Sequence, residues 1–247
     1  MGEQVDSIRI LGVRVDALDM EAAADRIEAL VATGGRHLVA TVNPEFIMRA
    51  RRDAAFARVL ETASLCLADG AGVMWAARRL GRPLPERITG IDLLPMLARR
   101  SAERGLRLYL LGAAEGVAEI AAERLRQIVP GVVIAGCHAG AAGPEGDEES
   151  LSLMNAAHPD ILLIAYGAPR QEFWYDRNRE RVGAPVAIGV GGAFDYLSGR
   201  VSRAPGWMRS AGIEWLYRLV RQPRRVGRMA ALPWYALAVI RAGGTRH

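Results

Sequence analysis

The sequence predicts an α/β protein: a mostly parallel sheet with helices on both faces, followed by a basic helical C-terminal appendage. Three observations carry this expectation. Short apolar runs (HLVATV, SLCLA, RLYLL, DILLIA, PVAIGV) recur along the first 197 residues. Continuous rather than alternating apolar strands are those buried on both faces. Between them lie segments of helical periodicity, the alternation that parallel strands need for their crossovers. Past residue 197 the charge changes abruptly. Residues 198–247 hold ten Arg and one acid, Glu214, a formal +9 on a chain of net charge +5, so residues 1–197 sum to −4.

The elements follow in order. Asp19 is placed to cap an amphipathic helix from Met20 to Ala32, with Ala23, Ile27, Leu30 and Val31 on one face. His37 to Val42 is a strand that stops at Asn43-Pro44, where proline suits a first helical turn. Ser64 to Ala68 is a buried strand ending in Asp69-Gly70, and a helix runs on to about Leu80. After a loop from Pro83 to Thr89 comes a helix from Gly90 to Arg104, then the strand Arg107 to Leu111. The turn Gly112 to Gly116 opens a helix that ends near Val129, ahead of Pro130-Gly131. Val132 to Ala135 is a strand, Gly140 to Asp147 a loop, and Glu148 to Ala157 a helix. Asp160 to Ala165 is a strand, Gly167 to Pro169 a loop, and a helix continues to Arg181 before the last strand, Pro185 to Val190.

Composition narrows the chemistry. With 51% hydrophobic and 24% charged residues, the 247-residue chain can bury a core and form one large domain with an appendage, divided here as 1–197 and 198–247. It contains no Lys; all 32 basic residues are Arg. Schiff-base and P-loop lysine chemistry are thereby excluded. Cys66 and Cys137 lie in apolar runs and read as free core thiols. The N-terminus lacks an apolar signal-peptide region, so a cytoplasmic protein is expected. Met229 to Ile240 is apolar but contains Pro233 and spans only twelve residues, where a bilayer takes about 20. The basic segment mixes its Arg with Trp207, Trp215, Trp234, Tyr217 and Tyr235, the composition of an element that lies on anionic lipid. The alternative is a helical pair that completes the core or an oligomer interface, with Leu216, Leu219 and Val220 as packing residues. A homo-oligomer is left open.

In open parallel sheets ligands bind beyond the carboxyl ends of the strands. The residues there are Thr41 and Asn43, Asp69, the Gly112 turn, Gly167 to Gln171, and Gly191 to Asp195. Asp69 suits a general base, or else caps the helix that follows. Thr41 and Asn43 offer neutral hydrogen bonds, or serve the turn. Gly112 stands at a phosphate-type strand-to-helix turn without the dinucleotide spacing, and a structural glycine is an equal reading. Gly191 and Gly192 allow close approach of a nucleotide, with Asp195 as acceptor for a ribose or base. The acidic run Glu145, Asp147, Glu148, Glu149 reads as solvated surface. The four His show no ligand spacing and no acidic clamp is evident, so no metal is expected. Arg218, Arg221, Arg225 and Arg228 recur at helical spacing, a cationic stripe fit for a diphosphate.

Eight blocks then carry a resemblance: TVNPEF (41–46), ADGAGV (68–73), RITGID (87–92), LGAAEGVAE (111–119), YGAPRQEFW (166–174), GVGGAFDYLSG (189–199), RAPGWMRSAGIEWLYRL (203–219) and QPRR (222–225). Together they resemble the WecG/TagA/CpsF family of bacterial glycosyltransferases, glycosyltransferase family 26, in order across nearly the whole chain. The resemblance implies a Rossmann-like body and an inverting, metal-independent enzyme. Such an enzyme takes a hexose or N-acetylhexosamine-type sugar from a UDP donor to a polyprenyl-diphosphate-linked sugar, at the cytoplasmic face of the membrane. It implies Asp69 as base, Thr41, Asn43, Arg87 and Gln171 as further site residues, and Arg218, Arg225 and Arg228 at the diphosphate. Two rival readings fare worse. A dinucleotide oxidoreductase would need GxGxxG with an acid about 20 residues on. A nucleic-acid binder would need a basic body rather than one of −4.

Overall fold

A computed structural model describes residues 5–210, 215–217 and 231–243. Its frame is a six-stranded parallel sheet of order β4-β3-β8-β7-β5-β6. The strands are β3 (His37–Val42), β4 (Leu65–Ala68), β5 (Arg107–Gly112), β6 (Val133–His138), β7 (Ile161–Ala165) and β8 (Val186–Gly189). Each apolar run predicted as a strand is one. β6 extends further than the sequence suggests, to His138 rather than Ala135.

Side chains of alternate parity on these strands feed two cores. Val39, Leu67, Leu110, Leu163 and Ile188 pack against α1 (Met20–Thr33), α5 (Gly90–Arg104), α6 (Val117–Ile128) and α9 (Ala193–Leu197). On the other face lie α2 (Pro44–Ala50), α3 (Ala54–Thr62), α4 (Ala71–Arg79), α7 (Asp147–Ala156) and α8 (Arg170–Asn178). Trp174 and Tyr175 of α8 are fully enclosed there. Local chemistry sets the helix starts. Asp19, Asn43, Asp53 and Thr89 each accept a backbone N–H of the first turn of α1, α2, α3 and α5.

Three features depart from the sequence reading or add to it. Residues 7–16 form a hairpin, β1 (Ser7–Ile10) and β2 (Val13–Asp16), joined by Leu11 and Gly12, both at positive φ. Two positive φ values are what a type I′ loop requires. The hairpin covers the free edge of β4: Asp16, itself buried, accepts the Cys66 N–H at 2.7 Å. Second, the acidic run is not all solvated. Asp147 is buried and takes both Arg177 nitrogens, at 2.7 and 2.8 Å, because α7 turns its first residue toward α8. Third, the last helix, α11 (Ala231–Gly243), packs on α2 and α4. Tyr235, expected as an interfacial aromatic, is instead buried with Val239 in the main core. α10 (Gly206–Ser210) is short, and Trp207 on it is 67% exposed. Leu216, a predicted packing residue, is exposed, and Leu219 and Val220 lie outside the described residues. Both cysteines are free, and burial pushes the Cys66 thiol up to about 12.

Candidate active site

The strand-end residues converge because parallel strands all end on one edge. β3 leads into α2 on one face while its neighbour β8 leads into α9 on the other. Diverging exits of this kind open a crevice between the two strand ends.

Asp69 leaves β4 with its N–H bonded to Val42 O at 2.8 Å, which ties it to the end of β3. The cap of α4 is Gly70, at φ 95°, with no side-chain cap bond. The cap position itself thus falls to Gly70, one residue after Asp69. Ile88 N donates to Ala68 O at 2.8 Å, so the 87–89 segment runs alongside the end of β4. This places the backbone of Arg87 beside that of Asp69, 18 residues earlier in sequence. The two half-buried residues flank one side of the crevice.

Thr41 and Asn43 are partly committed to the scaffold. Thr41 Oγ1 donates to Gly189 O at 2.9 Å, tying β3 to β8, and Asn43 Oδ1 accepts the Phe46 N–H at 3.1 Å as the cap of α2. Gln171 is buried at the base of the crevice. Its Oε1 accepts the N–H groups of Gly167 and Gly191, both at 3.1 Å, and its Nε2 donates to Glu172 at 2.7 Å. One side chain thus holds together the loops after β7 and β8. The clasp explains Gly189: a Cβ there would strike the Gln171 amide and come within 2.7 Å of Glu172 Oε1.

The glycines divide by geometry. Gly112, at φ 105°, has a packing reason, since a Cβ would lie 2.9 Å from the Ala165 carbonyl carbon. Gly167 (φ 76°) and Gly191 (φ 56°) supply the left-handed turns whose N–H groups Gln171 binds. Among the described residues nothing lies within 4 Å of a Cβ built on Gly191, so its surface is open on the side of the described fold. Gly192 caps α9, whose first turn carries the half-buried Asp195. Gly90 lets α5 approach β8, for a Cβ there would lie 2.9 Å from Val190 O.

The C-terminal segment reaches this edge too. Tyr235 of α11 donates from its hydroxyl to Gly72 O at 3.2 Å, three residues beyond Asp69. Arg218, Arg225 and Arg228 lie outside the described residues. A cavity of 600 Å³ opens between α2, α3 and the 168–169 turn, with Phe46, Arg49, Phe56, Pro169 and Ala231 on its walls.

Sequence reasoning missed Asp92 and Arg203. Asp92 sits in the first turn of α5 and takes a two-pronged bond from Arg203, at 2.7 and 2.8 Å. Burial pushes its carboxyl up, but the Arg203 and Thr89 bonds and the Arg203 and Arg87 charges outweigh this and hold it below the usual carboxylate range. The TGID capping pattern was the available signal for Asp92; nothing local pointed to Arg203. Among the described residues no three His, Cys, Asp or Glu side chains group to hold a metal ion.

A family profile described as "Glycosyl transferase WecG/TagA/CpsF family" matches residues 8–247. The chain belongs to this family. It is therefore a glycosyltransferase, and the Rossmann-like parallel sheet agrees with the fold expected of one. The chain is similar to a Bacillus spizizenii protein, 36% identical over 203 residues, covering 82% of this chain and 78% of the relative. A Bacillus subtilis relative is 35% identical over 205 residues, 83% and 79% of the two chains. A Staphylococcus aureus relative is 31% identical over 237 residues, 95% and 92%. Each of the three is named an N-acetylglucosaminyldiphosphoundecaprenol N-acetyl-beta-D-mannosaminyltransferase.

Proposed function

We propose that this glycosyltransferase moves N-acetylmannosamine from a UDP donor to a polyprenyl-diphosphate-linked N-acetylglucosamine during cell-envelope polysaccharide synthesis. The names of the relatives support the sugar and the acceptor. The observation that supports the chemistry is the backbone bond between the 87–89 segment and the end of β4, which brings the backbones of Arg87 and Asp69 together at the carboxyl edge of the sheet.

In this reading Asp69 takes the proton from the acceptor hydroxyl as that oxygen attacks the anomeric carbon in line. The bond to the UDP oxygen breaks, and the configuration inverts. Arg87 meets the charge that develops on the leaving diphosphate, a task an arginine fork performs without a metal ion. Asn43 and Thr41 border the sugar, and Asp195 with the open face of Gly191 borders the nucleoside. Gln171 serves by fixing both loops. Arg218, Arg225 and Arg228 bring further positive charge to the diphosphates.

The acceptor's lipid fixes where the enzyme must work. Among the described residues no helix is long and apolar enough to cross a membrane. α11 buries Tyr235 and Val239 but leaves Trp234 60% exposed, with Leu237 and Ile240 exposed as well and Arg241 following. We read this face, with Trp207, as the part of segment 198–247 that rests on anionic lipid at the inner face of the membrane.

The test is transfer from a panel of UDP-sugars to a soluble N-acetylglucosaminyl diphospholipid analogue, with product linkage read by NMR. A β-linked N-acetylmannosamine product formed in excess EDTA is expected. Preference for another sugar removes the donor assignment, and activity abolished by EDTA and restored by magnesium or manganese removes the arginine account.

A further inference from the structure

The solvent-facing side of α11 is one wall of a groove. Trp234, Leu237 and Arg241 recur at helical spacing and so share that side of the helix. The facing wall is Met48, Arg51 and Arg52, from the last turn of α2 and the two residues after it. Leu11 of the hairpin loop lines the same cavity, whose volume is 480 Å³. The groove is therefore apolar along both walls, and its charge is of one sign. Arg51, Arg52 and Arg241 are all exposed, and among the described residues no Asp or Glu lines the cavity. The acids that follow in sequence are already engaged. Asp53 pairs with Arg49 at 2.8 Å and caps α3, and Glu61 pairs with Arg9 at 2.6 Å. Arg51 Nη1 meets the Met48 sulfur at 3.8 Å, and among the described residues none of the three guanidiniums makes an ion pair.

We propose that this groove holds one anionic phospholipid, its phosphate among Arg51, Arg52 and Arg241 and its acyl chain along Met48, Trp234 and Leu237. The inference rests on the reading that α11 lies on lipid, and extends it to a built site that half belongs to the body of the protein. Guanidinium forks match phosphate oxygens in pairs, and unpaired ones give up no internal partner to do so. The apolar walls give a bare phosphate nothing further, but they cover the chain of a lipid, and covering apolar surface is favourable. A second copy of the chain is a poorer occupant. A two-fold contact through this groove would set three guanidiniums against the same three, with no acid between them. A single arginine at each helix end would serve the helix dipole; that role does not call for three on one apolar cavity. The placement also bears on the reaction. α2 begins at the Asn43 cap, beside the crevice, and ends at Arg51 after seven residues. A helix of that length is about 10 Å long, so a lipid phosphate held at its far end fixes how the crevice stands over the bilayer.

The full-length chain is titrated calorimetrically with dihexanoylphosphatidylglycerol below its micelle concentration, then with dihexanoylphosphatidylcholine and with inorganic phosphate. One molecule of the anionic lipid should bind per chain, at least about 10-fold more tightly than either comparator. Arg51→Gln, Arg52→Gln and Arg241→Gln combined should weaken it by at least about 10-fold. Arg99→Gln, Arg124→Gln and Arg126→Gln remove the same charge from α5 and α6, which cover the other face of the sheet. Screening confines surface charge to about 10 Å, so that control should stay within about 2-fold of wild type. An equal loss in the control reduces the effect to net charge and overturns the proposal. Inorganic phosphate bound as tightly as the lipid overturns it too, because the apolar walls then do nothing. So does self-association, read by light scattering and abolished by Trp234→Ala, without lipid binding. Should the triple variant not fold, Arg241→Gln alone replaces it, with a loss of about 5-fold expected for one arginine and an unchanged affinity counting against the site. Flotation with phosphatidylglycerol vesicles separates this proposal from the reading beneath it. Wild type that stays behind removes the lipid-facing role of α11 and the groove with it. A triple variant that floats as well as wild type, where about a 100-fold weaker partition is expected from three arginines, leaves that role standing and removes the groove.

Discussion

Replacing Tyr235 by alanine tests whether the last helix belongs to the core of the body. Tyr235 is 2% exposed, packs near Gly72 at the head of α4, and donates its hydroxyl to Gly72 O at 3.2 Å. Truncating a buried aromatic ring to alanine costs about 3–5 kcal/mol, lost transfer energy and residual cavity together. The hydroxyl's share is smaller. A neutral hydrogen bond at this length is worth about 0.5–1.5 kcal/mol net, and the half-buried Gly72 leaves its carbonyl within reach of water. Tyr235→Phe should therefore cost about 1 kcal/mol and Tyr235→Ala at least about 3. For a chain of this size the alanine variant's melting point should fall by roughly 6–20 °C. Urea unfolding followed by tryptophan fluorescence checks both values, and limited trypsin digestion reports whether α11 has come away. If the two variants unfold within about 0.5 kcal/mol of each other and of wild type, the helix is not packed as described.

Three further outcomes are expected. Asp69→Asn should retain UDP binding by calorimetry while kcat falls by at least about 100-fold; near-normal turnover would remove Asp69 from the mechanism. Gly189→Ala should break the Gln171 clasp, costing about 1–3 kcal/mol in melting experiments and raising the donor KM, because its methyl meets side chains already fixed by hydrogen bonds. The Arg177 bonds to Asp147 hold that carboxyl below its ordinary value of 3.8. Its stabilising share is present above that value and lost as pH falls through the lower folded one. Asp147→Asn should therefore lower the melting point at pH 7 and flatten its decline below about pH 4; an unchanged acid limb would count against the pair.

The sheet was legible because doubly buried parallel strands write themselves as uninterrupted apolar runs. Asp69, Asn43, Gly167 and Gly191 were legible as positions at the carboxyl edge of the sheet for the same reason: each follows such a run, and all parallel strands end on one edge. The hairpin over β4 was written locally too, in IRI-LG-VRV, but two four-residue strands are a faint signal beside a six-stranded core. What individual side chains do was settled by distant partners. Thr41 is spent on Gly189 O, 148 residues away, and Gln171 on the Gly191 N–H, 20 residues away. Tyr235 looked interfacial beside Trp234, yet successive helix positions point about 100° apart, so one met the core and the other solvent. Local periodicity determines which residues share a face; only the closing of the chain decides which face is covered, and which carboxylate each arginine finds.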